Sequence, residues 1–494
     1  GKIEDTFPNV KEAISKTYNE LRTATTSATI LVGGIFVPTS GDNWAQGEWQ
    51  SLNGSVLYSG SLPTLFINTE NGASIVSKET YVNATYYLDN MGDESVASVG
   101  SETEQLPMEI RGRGNYTWTG FDKKPYRIKL GSKTPLLGMK KSKHFALLAH
   151  ADDQLGFLRN EVGFELSRRM GLDWTPSTHP VEVVLNGSYI GLYFLTETVR
   201  VDSDRVNIVE QEDQETDAEA ITGGWLVEID NYDEDLQVRI TEGNGERIRF
   251  TYKTPELLSS AQENYLRNQM NALDDAIYAT NKNSTEWEDY VDLETLARFY
   301  VVQEIMDNTE SFHGSCYMHK DKGADTKWKF GPVWDFGCTY YTSSQNFIYV
   351  NPPYGQTWIG EIAKFPRFQA KVKDIWKWFK GNKYEGVEEY IDDFIDKIGV
   401  ASQYNYRKWS KYGNGNISDA KKNFKNKLTS RISWLVKQWG EGVVGLEDAI
   451  ANNATVSVTA CQGGVRVMGT EALKVVNIYD MSGRVVATAN PNSE

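Results

Sequence analysis

The sequence predicts an α+β protein with a β-rich N-terminal part, a helical C-terminal lobe and a small β-module at its end. Three observations carry that reading. Residues 27–102 are dominated by β-branched and aromatic runs broken by Asn53-Gly54 and Asn71-Gly72, dipeptides that favour tight turns between strands. From about Pro255 to Trp439, apolar residues recur at helical spacing. Beyond 441, short strand-like runs return.

Size and composition narrow the class. A single core stops growing near ~250–300 residues, so 494 residues predict two or three domains. Charged residues make up 24% and hydrophobic ones 40%, the balance of a soluble globular protein. A net charge of −16 repels polyanions, which argues against a nucleic-acid partner. A nucleotide would need Lys, Arg and a divalent cation gathered locally. Cys316, Cys338 and Cys461 are too few and too irregular for a disulfide framework or a zinc site. No apolar run is long enough to span a membrane, and no signal-peptide pattern is present. Gly1 in place of Met suggests a processed chain, and 14 Trp with 26 Tyr suit an exported protein.

In chain order, residues 1–26 are expected to hold at most one amphipathic helix, at Asn9–Leu21. Residues 27–102 read as a β-sandwich-like domain with strands at Ile30–Val37, Ser55–Ser59, Leu65–Asn68 and Tyr81–Leu88. Residues 103–440 form the main domain and 441–494 the last module. The main domain opens on Arg111-Gly-Arg-Gly-Asn-Tyr-Thr-Trp118, a glycine-interrupted basic loop, and a strand in which Tyr126, Ile128 and Leu130 alternate with Arg127 and Lys129. Glycines allow close backbone approach and Arg or Lys supplies charge for phosphate oxygens. The same residues also suit an ordinary hairpin with a solvated basic face.

A helix follows, capped by Asp152 or Asp153, with Leu155, Leu158, Val162 and Leu166 on one face and Gly171 at its end. It carries Arg159, Asn160 and Glu161; Glu161 either pairs with a strand lysine such as Lys129 or faces solvent. Asn186-Gly187 joins the strands Val181–Leu185 and Tyr189–Glu197. Trp225–Ile229 and Gln237–Tyr252 bracket the acidic run Asp230–Asp235, which lacks the spacing and glycine of an EF-hand and reads as a solvated loop. Helices are expected at Pro255–Tyr278, Asp292–Ile305, Tyr384–Ile398 and Ser418–Trp439, and terminal strands at Thr455–Thr459, Gly464–Met468 and Val475–Tyr479.

The chemistry is expected between Glu304 and Tyr340. Glu310 and Ser315 lie five residues apart on a loop, and a hairpin of Cys316–Lys320 and Trp328–Val333 returns the chain to Trp334-Asp335-Phe336-Gly337. In protein kinases a catalytic Asp, a metal-binding Asn five residues on, a hairpin and Asp-Phe-Gly follow in that order. Asp-Phe-Gly alone arises by chance; joined to the upstream loop it is more specific. Cys316 and Cys338 flank the hairpin, either paired in an oxidising compartment or reduced and buried.

Taken together, the stretches 111–130, 147–160, 181–197, 223–230 and 304–340 resemble the CotH kinase family, the spore-coat-protein-H-like atypical protein kinases. The resemblance implies a divergent kinase-like fold that uses ATP with Mg2+ or Mn2+ to phosphorylate Ser or Thr of a secreted, surface or coat protein. It implies phosphate contacts from Lys129, Arg111 and Arg113, with Glu161 as partner to Lys129. Asp335 takes the place of the metal-binding acid, with Ser315 where an Asn would help hold metal, and Glu310 takes the place of the catalytic Asp, with Asp307 as a substitute base. The module ending in Asn477-Ile-Tyr-Asp-Met-Ser-Gly-Arg-Val-Val486 is similar to C-terminal secretion or sorting-type β-domains of bacterial proteins, without the final strand. Both resemblances imply a secreted or cell-surface location.

The departures from the family pattern fall at the chemistry. Glu310 is a methylene longer than Asp, Ser315 replaces Asn, and Gly337 stands where a second acid is common. They motivate an alternative, a catalytically impaired kinase-like surface protein that recognises a protein or glycan. A metal-dependent hydrolase is disfavoured, because His144, His150, His179, His313 and His319 have no zinc-ligand spacing.

Overall fold

The computed structural model describes residues 58–443, apart from 231–236, 242–243, 245–247, 342–344, 351–356 and 414, together with strands at 34–38, 47–51, 456–461, 464–469, 476–479 and 485–489. The fold is mixed α+β, with a β-rich N-terminal part and a helical C-terminal region. The helix expected at Asn9–Leu21 and most of the acidic run after Asp230 lie outside the described residues. The chain divides into two compact units, Gly1–Gln154 with Ser177–Thr198 and Phe394–Ser418, and Leu155–Pro176 with Val199–Asp393 and Asp419–Glu494.

In the first unit, β1 (Gly34–Pro38) and β2 (Gly47–Ser51) form an antiparallel pair. Then come β3 (Thr64–Thr69), β4 (Val82–Asp89), β5 (Leu106–Gly112), the short helix α1 (Tyr116–Gly120), β6 (Tyr126–Thr134), β7 (Ser142–Leu148), β8 (Thr178–Leu185) and β9 (Ser188–Glu197). They close a barrel in the order β3-β4-β5-β6-β7-β9-β8, sealed by parallel pairing of β3 with β8 from Thr64↔Glu182 to Ile67↔Leu185.

Strand alternation explains the barrel. Met108, Ile110, Ile128 and Leu130 enter the core with Leu65, Ile67, Phe145, Leu147 and Val183. Glu109, Arg111, Arg127 and Lys129 occupy the opposite pleat positions of β5 and β6 and stay outside. Asn186 and Gly187 both take positive φ, 50° and 74°, and join Leu185 to Ser188 by the tight turn their types predict. The expected boundary at 102 runs through this barrel. A sandwich ending there would leave β4 with an open edge, whereas β4 pairs with β5 and closure removes every edge.

Among the described residues of this unit, one cation is buried. Lys123 is 1% exposed; its ammonium donates to the carbonyls of Ala149 and Leu192 and lies 4.8 Å from the Tyr193 ring centroid. Burial holds its pKa well below the usual lysine value.

In the second unit, α2 (Leu158–Met170) ends at Gly171, whose φ of 74° closes the helix with N–H bonds to Arg168 and Ser167 carbonyls. Neither Asp152 nor Asp153 caps it. Gly156 and Phe157 both hold left-handed backbone, which breaks the helix before Leu158. A five-stranded sheet follows, built from β10 (Trp225–Ile229), β11 (Gln237–Arg239), β12 (Arg249–Thr254), β13 (Cys316–Lys320) and β14 (Lys329–Phe330) in the order β11-β12-β10-β13-β14. Every residue of the central β10 is buried, which explains its unbroken apolar run; its one acid, Glu228, pairs with Lys253 at 2.9 Å.

The helices that follow are α3 (Ser260–Ile277), α4 (Leu293–Ile305), α5 (Trp358–Ile362), α6 (Pro366–Asn382), α7 (Val387–Lys408), whose residues from Phe394 on belong to the first unit, and α8 (Ile417–Trp439). Ser259 and Gln262 form a capping box at the start of α3, and Asp292 caps α4 through the Thr295 N–H. The terminal module contains two antiparallel pairs, β15 (Val456–Cys461) with β16 (Gly464–Gly469) and β17 (Val476–Tyr479) with β18 (Val485–Ala489). Three of these four strands were expected from the sequence. Among the described residues, no helix is long and apolar enough to cross a membrane.

Candidate active site

Eleven of the thirteen residues of α4 are buried, so its C-terminal end is a rigid platform for the loop 306–315. β13 then pairs with β14 in the register Met318↔Phe330 and His319↔Lys329, and the chain returns to Asp335. The expected hairpin is present with a shorter second strand, because Trp328 bridges to Val291 instead. The two loops at its end are stitched together: Asn308 Nδ2 donates to the Asp335 carbonyl at 3.2 Å, and Asn308 and Thr339 form a β-bridge.

Helix α2 supplies the other wall. Asn160 Oδ1 accepts the Phe336 N–H at 2.7 Å, and Arg159 Nη1 donates to the Gly337 carbonyl at 2.8 Å. Gly163 lies under the Phe336 ring, where a Cβ would come within 2.4 Å of its carbons. The backbone of Asp335-Phe336-Gly337 is therefore anchored on both sides. Asp335 has a φ of 54° and an exposed side chain, and its Oδ1 accepts the Gly337 N–H at 2.9 Å. That bond is the local compensation for a left-handed aspartate.

Glu310 is half-buried across from it. Cys338 Sγ donates to Glu310 Oε2 at 3.0 Å. Burial raises the Glu310 pKa above the ordinary carboxylate value, and the neighbouring Asp335 charge raises it further. A carboxyl poised upward is a better proton acceptor near neutral pH than an unperturbed one.

Asp307, read as a substitute base, is 3% exposed, and its carboxylate lies 3.5 Å from Arg431 Nη1. Arg431 also donates through Nε to the Glu304 carbonyl at 2.7 Å and pairs through Nη2 with the Glu304 carboxylate. Burial raises Glu304 to about 7 against the opposing pull of Arg431. Asp307 thus belongs to a buried charge network. Ser315, at a φ of 51°, makes no hydrogen bond to Glu310 or Asp335. Glu161 is buried on α2 and accepts a hydrogen bond from the Tyr390 hydroxyl.

The basic residues belong to the first unit. Lys129 Nζ pairs with Glu109 at 2.8 Å, which raises the lysine pKa. Arg111 lies 5.0 Å from the Tyr81 ring centroid and directly opposite Arg127 in the β5–β6 register. The Arg113 N–H donates to the Pro125 carbonyl. Close approach at Gly112 is made by the chain itself: a Cβ there would meet the Trp118 indole at 2.4 Å.

Spacing alone did not reveal Asn308, Cys338 or Arg431 as site residues. The Arg431–Glu304 bond spans 127 positions, and Cys338 carries no motif. Cys316 and Cys338 are both free thiols, and both are held protonated by burial. Among the described residues, no three His, Cys, Asp or Glu side chains form a metal-binding group.

Acids from two loops, held at the end of one hairpin with one carboxylate exposed and the other shielded, suit metal-assisted group transfer. The chain belongs to the CotH kinase family: residues 110–435, more than half its length, match the family model described as CotH kinase protein. Membership supports an atypical kinase-like function and, in general, the use of ATP with a metal. No curated protein matches the chain.

The acids fit such a metal. Mg2+ keeps several waters and binds through one or two carboxylates plus substrate phosphates rather than in an all-protein cage. An exposed Asp335 whose charge is felt by Glu310 is a donor set of that kind.

Proposed function

We propose that this protein is an extracytoplasmic atypical protein kinase that transfers phosphate from ATP, with Mg2+ or Mn2+, to Ser or Thr of a secreted or surface protein. The observation that carries the reading is the pairing of an exposed, backbone-anchored Asp335 with a shielded Glu310 of raised pKa. Asp335 would hold the cation; Ser315, on the loop 306–315, is the second ligand that the family resemblance implies. The cation neutralises charge on the phosphate oxygens when bound. Glu310 accepts the proton of the attacking hydroxyl, whose oxygen then bonds to the γ-phosphorus as ADP departs. Lys129 is paired with Glu109 and Glu161 accepts from the Tyr390 hydroxyl, so neither is given a role at this site.

Calorimetry of ATP binding with and without Mn2+, on wild type and Asp335→Ala, tests this. Metal-dependent binding lost in the variant is the expected result. Binding in neither protein would refute the nucleotide site.

A second reading, a kinase-like surface module that binds a glycan or protein, is favoured by one observation. Phe66 stacks on Tyr87 at 4.5 Å and meets Tyr58 edge-on at 5.6 Å, and all three rings are half-buried, a platform of the kind sugars stack on.

A further inference from the structure

We propose that Cys338 is a positioning residue that fixes the Glu310 carboxylate, clamping Oε2 and leaving Oε1 as the proton-accepting atom. The inference deepens the kinase reading and rests on it. Its basis is the 3.0 Å bond from Cys338 Sγ to Glu310 Oε2. Among the described residues, Oε1 accepts no hydrogen bond.

Glutamate needs such a restraint. Its carboxylate hangs on one more rotatable bond than that of aspartate, so more rotamer freedom must be given up to hold it in one place. A general base must stay within hydrogen-bond reach of the proton it takes. A fixed donor from the neighbouring loop limits where the carboxylate can turn.

That donor is itself fixed. The Cys338 backbone follows Gly337, whose carbonyl is held by Arg159 and whose N–H is held by Asp335. Asp335 and Cys338 share this short anchored segment, so the donor to Glu310 is tied to the same backbone that carries Asp335. A thiol suits the position: it donates weakly, so it orients the carboxylate without quenching its basicity as a charged donor would. Arg159 is the nearby cation, and its Nη1 is committed to the Gly337 carbonyl. Attack by the sulfur itself is disfavoured, since burial and the charges of Glu310 and Asp335 oppose a thiolate.

Two measurements on the full chain test the proposal. The first is the infrared S–H stretching band, assigned to Cys338 by its loss in Cys338→Ala. It is expected at lowered frequency in wild type and to move upward in Glu310→Ala. A band that does not respond to Glu310 overturns the inference whatever the activity. The second is ATP turnover with Mn2+. Misplacing a catalytic group by about 1 Å costs on the order of 100-fold, so Cys338→Ala should lower kcat by about 10- to 100-fold with the nucleotide KM nearly unchanged. Cys338→Ser, which restores a donor, should recover most of the loss. An active wild type whose Cys338→Ala variant turns over equally fast overturns the positioning role alone. An inactive wild type overturns the kinase reading together with the role built on it, and the band then shows whether the contact itself exists.

Discussion

Gly163 and Phe336 touch with no side chain between them: a Cβ on Gly163 would lie 2.4 Å from Cδ2 and Cε2 of the ring. Phe336 is fully buried there and also meets Phe164 edge-on at 6.0 Å. In an exposed helix, Gly→Ala stabilises by about 1 kcal/mol. Here a rigid aromatic ring must move, and overpacking costs about 1–3 kcal/mol. Gly163→Ala should therefore lower Tm and, by displacing the residue after Asp335, weaken ATP binding with Mn2+. A raised Tm in thermal denaturation would show that the helix propensity wins.

Asp335→Asn keeps an oxygen for the Gly337 N–H but removes the charge. Because that charge raises the Glu310 pKa, the variant should fold with wild-type or slightly higher stability while losing metal-dependent nucleotide binding. Parallel calorimetric titrations and thermal melts check both halves. Retained affinity for ATP with Mn2+ would remove Asp335 from the metal site.

Arg431 is 4% exposed and serves Glu304 and Asp307 together. Removing one partner of a buried ion pair strands the other charge and costs about 3–5 kcal/mol. Arg431→Met should destabilise by roughly that amount. Arg431→Met with Glu304→Gln should recover part of it, since the most buried acid is then neutral. Chemical denaturation of the two variants reads the difference; equal losses would mean that Glu304 is not the stranded charge.

His313 lies on the same loop, 6% exposed, and burial lowers its pKa from 6.5 to about 4. The unfolded chain therefore binds a proton between these values that the folded chain refuses. Stability from this residue is complete above about pH 6.5 and falls as the pH drops toward 4, by at most about 3 kcal/mol. His313→Gln should flatten that part of the Tm-against-pH curve. An unchanged slope from pH 6.5 to 4 would place the acid sensitivity elsewhere.

The sequence by itself determined the local elements. Period-two alternation set Tyr126, Ile128 and Leu130 on one face of a strand and Arg127 and Lys129 on the other, Asn186-Gly187 set a two-residue turn, and Gly171 ended a helix. It also placed Glu310 and Asp335 at the two ends of one hairpin, because hairpin return is a short-range property of the chain. What lay beyond it was closure and partnership. The edge of β4 pairs with β5, so a boundary drawn at 102 cuts a barrel whose completion depends on β3 meeting β8 more than a hundred residues away. The uses of Gly112 and Gly163, one covered by Trp118 and the other by Phe336, depend on which ring arrives in space. The roles of Asn308, Cys338 and Arg431 depend on loops brought together by packing, and Asp307 became part of an ion network because Arg431 reaches it from α8. Hydrogen bonds and buried charges are satisfied by proximity, and proximity between distant segments is decided only when the core that joins them has formed.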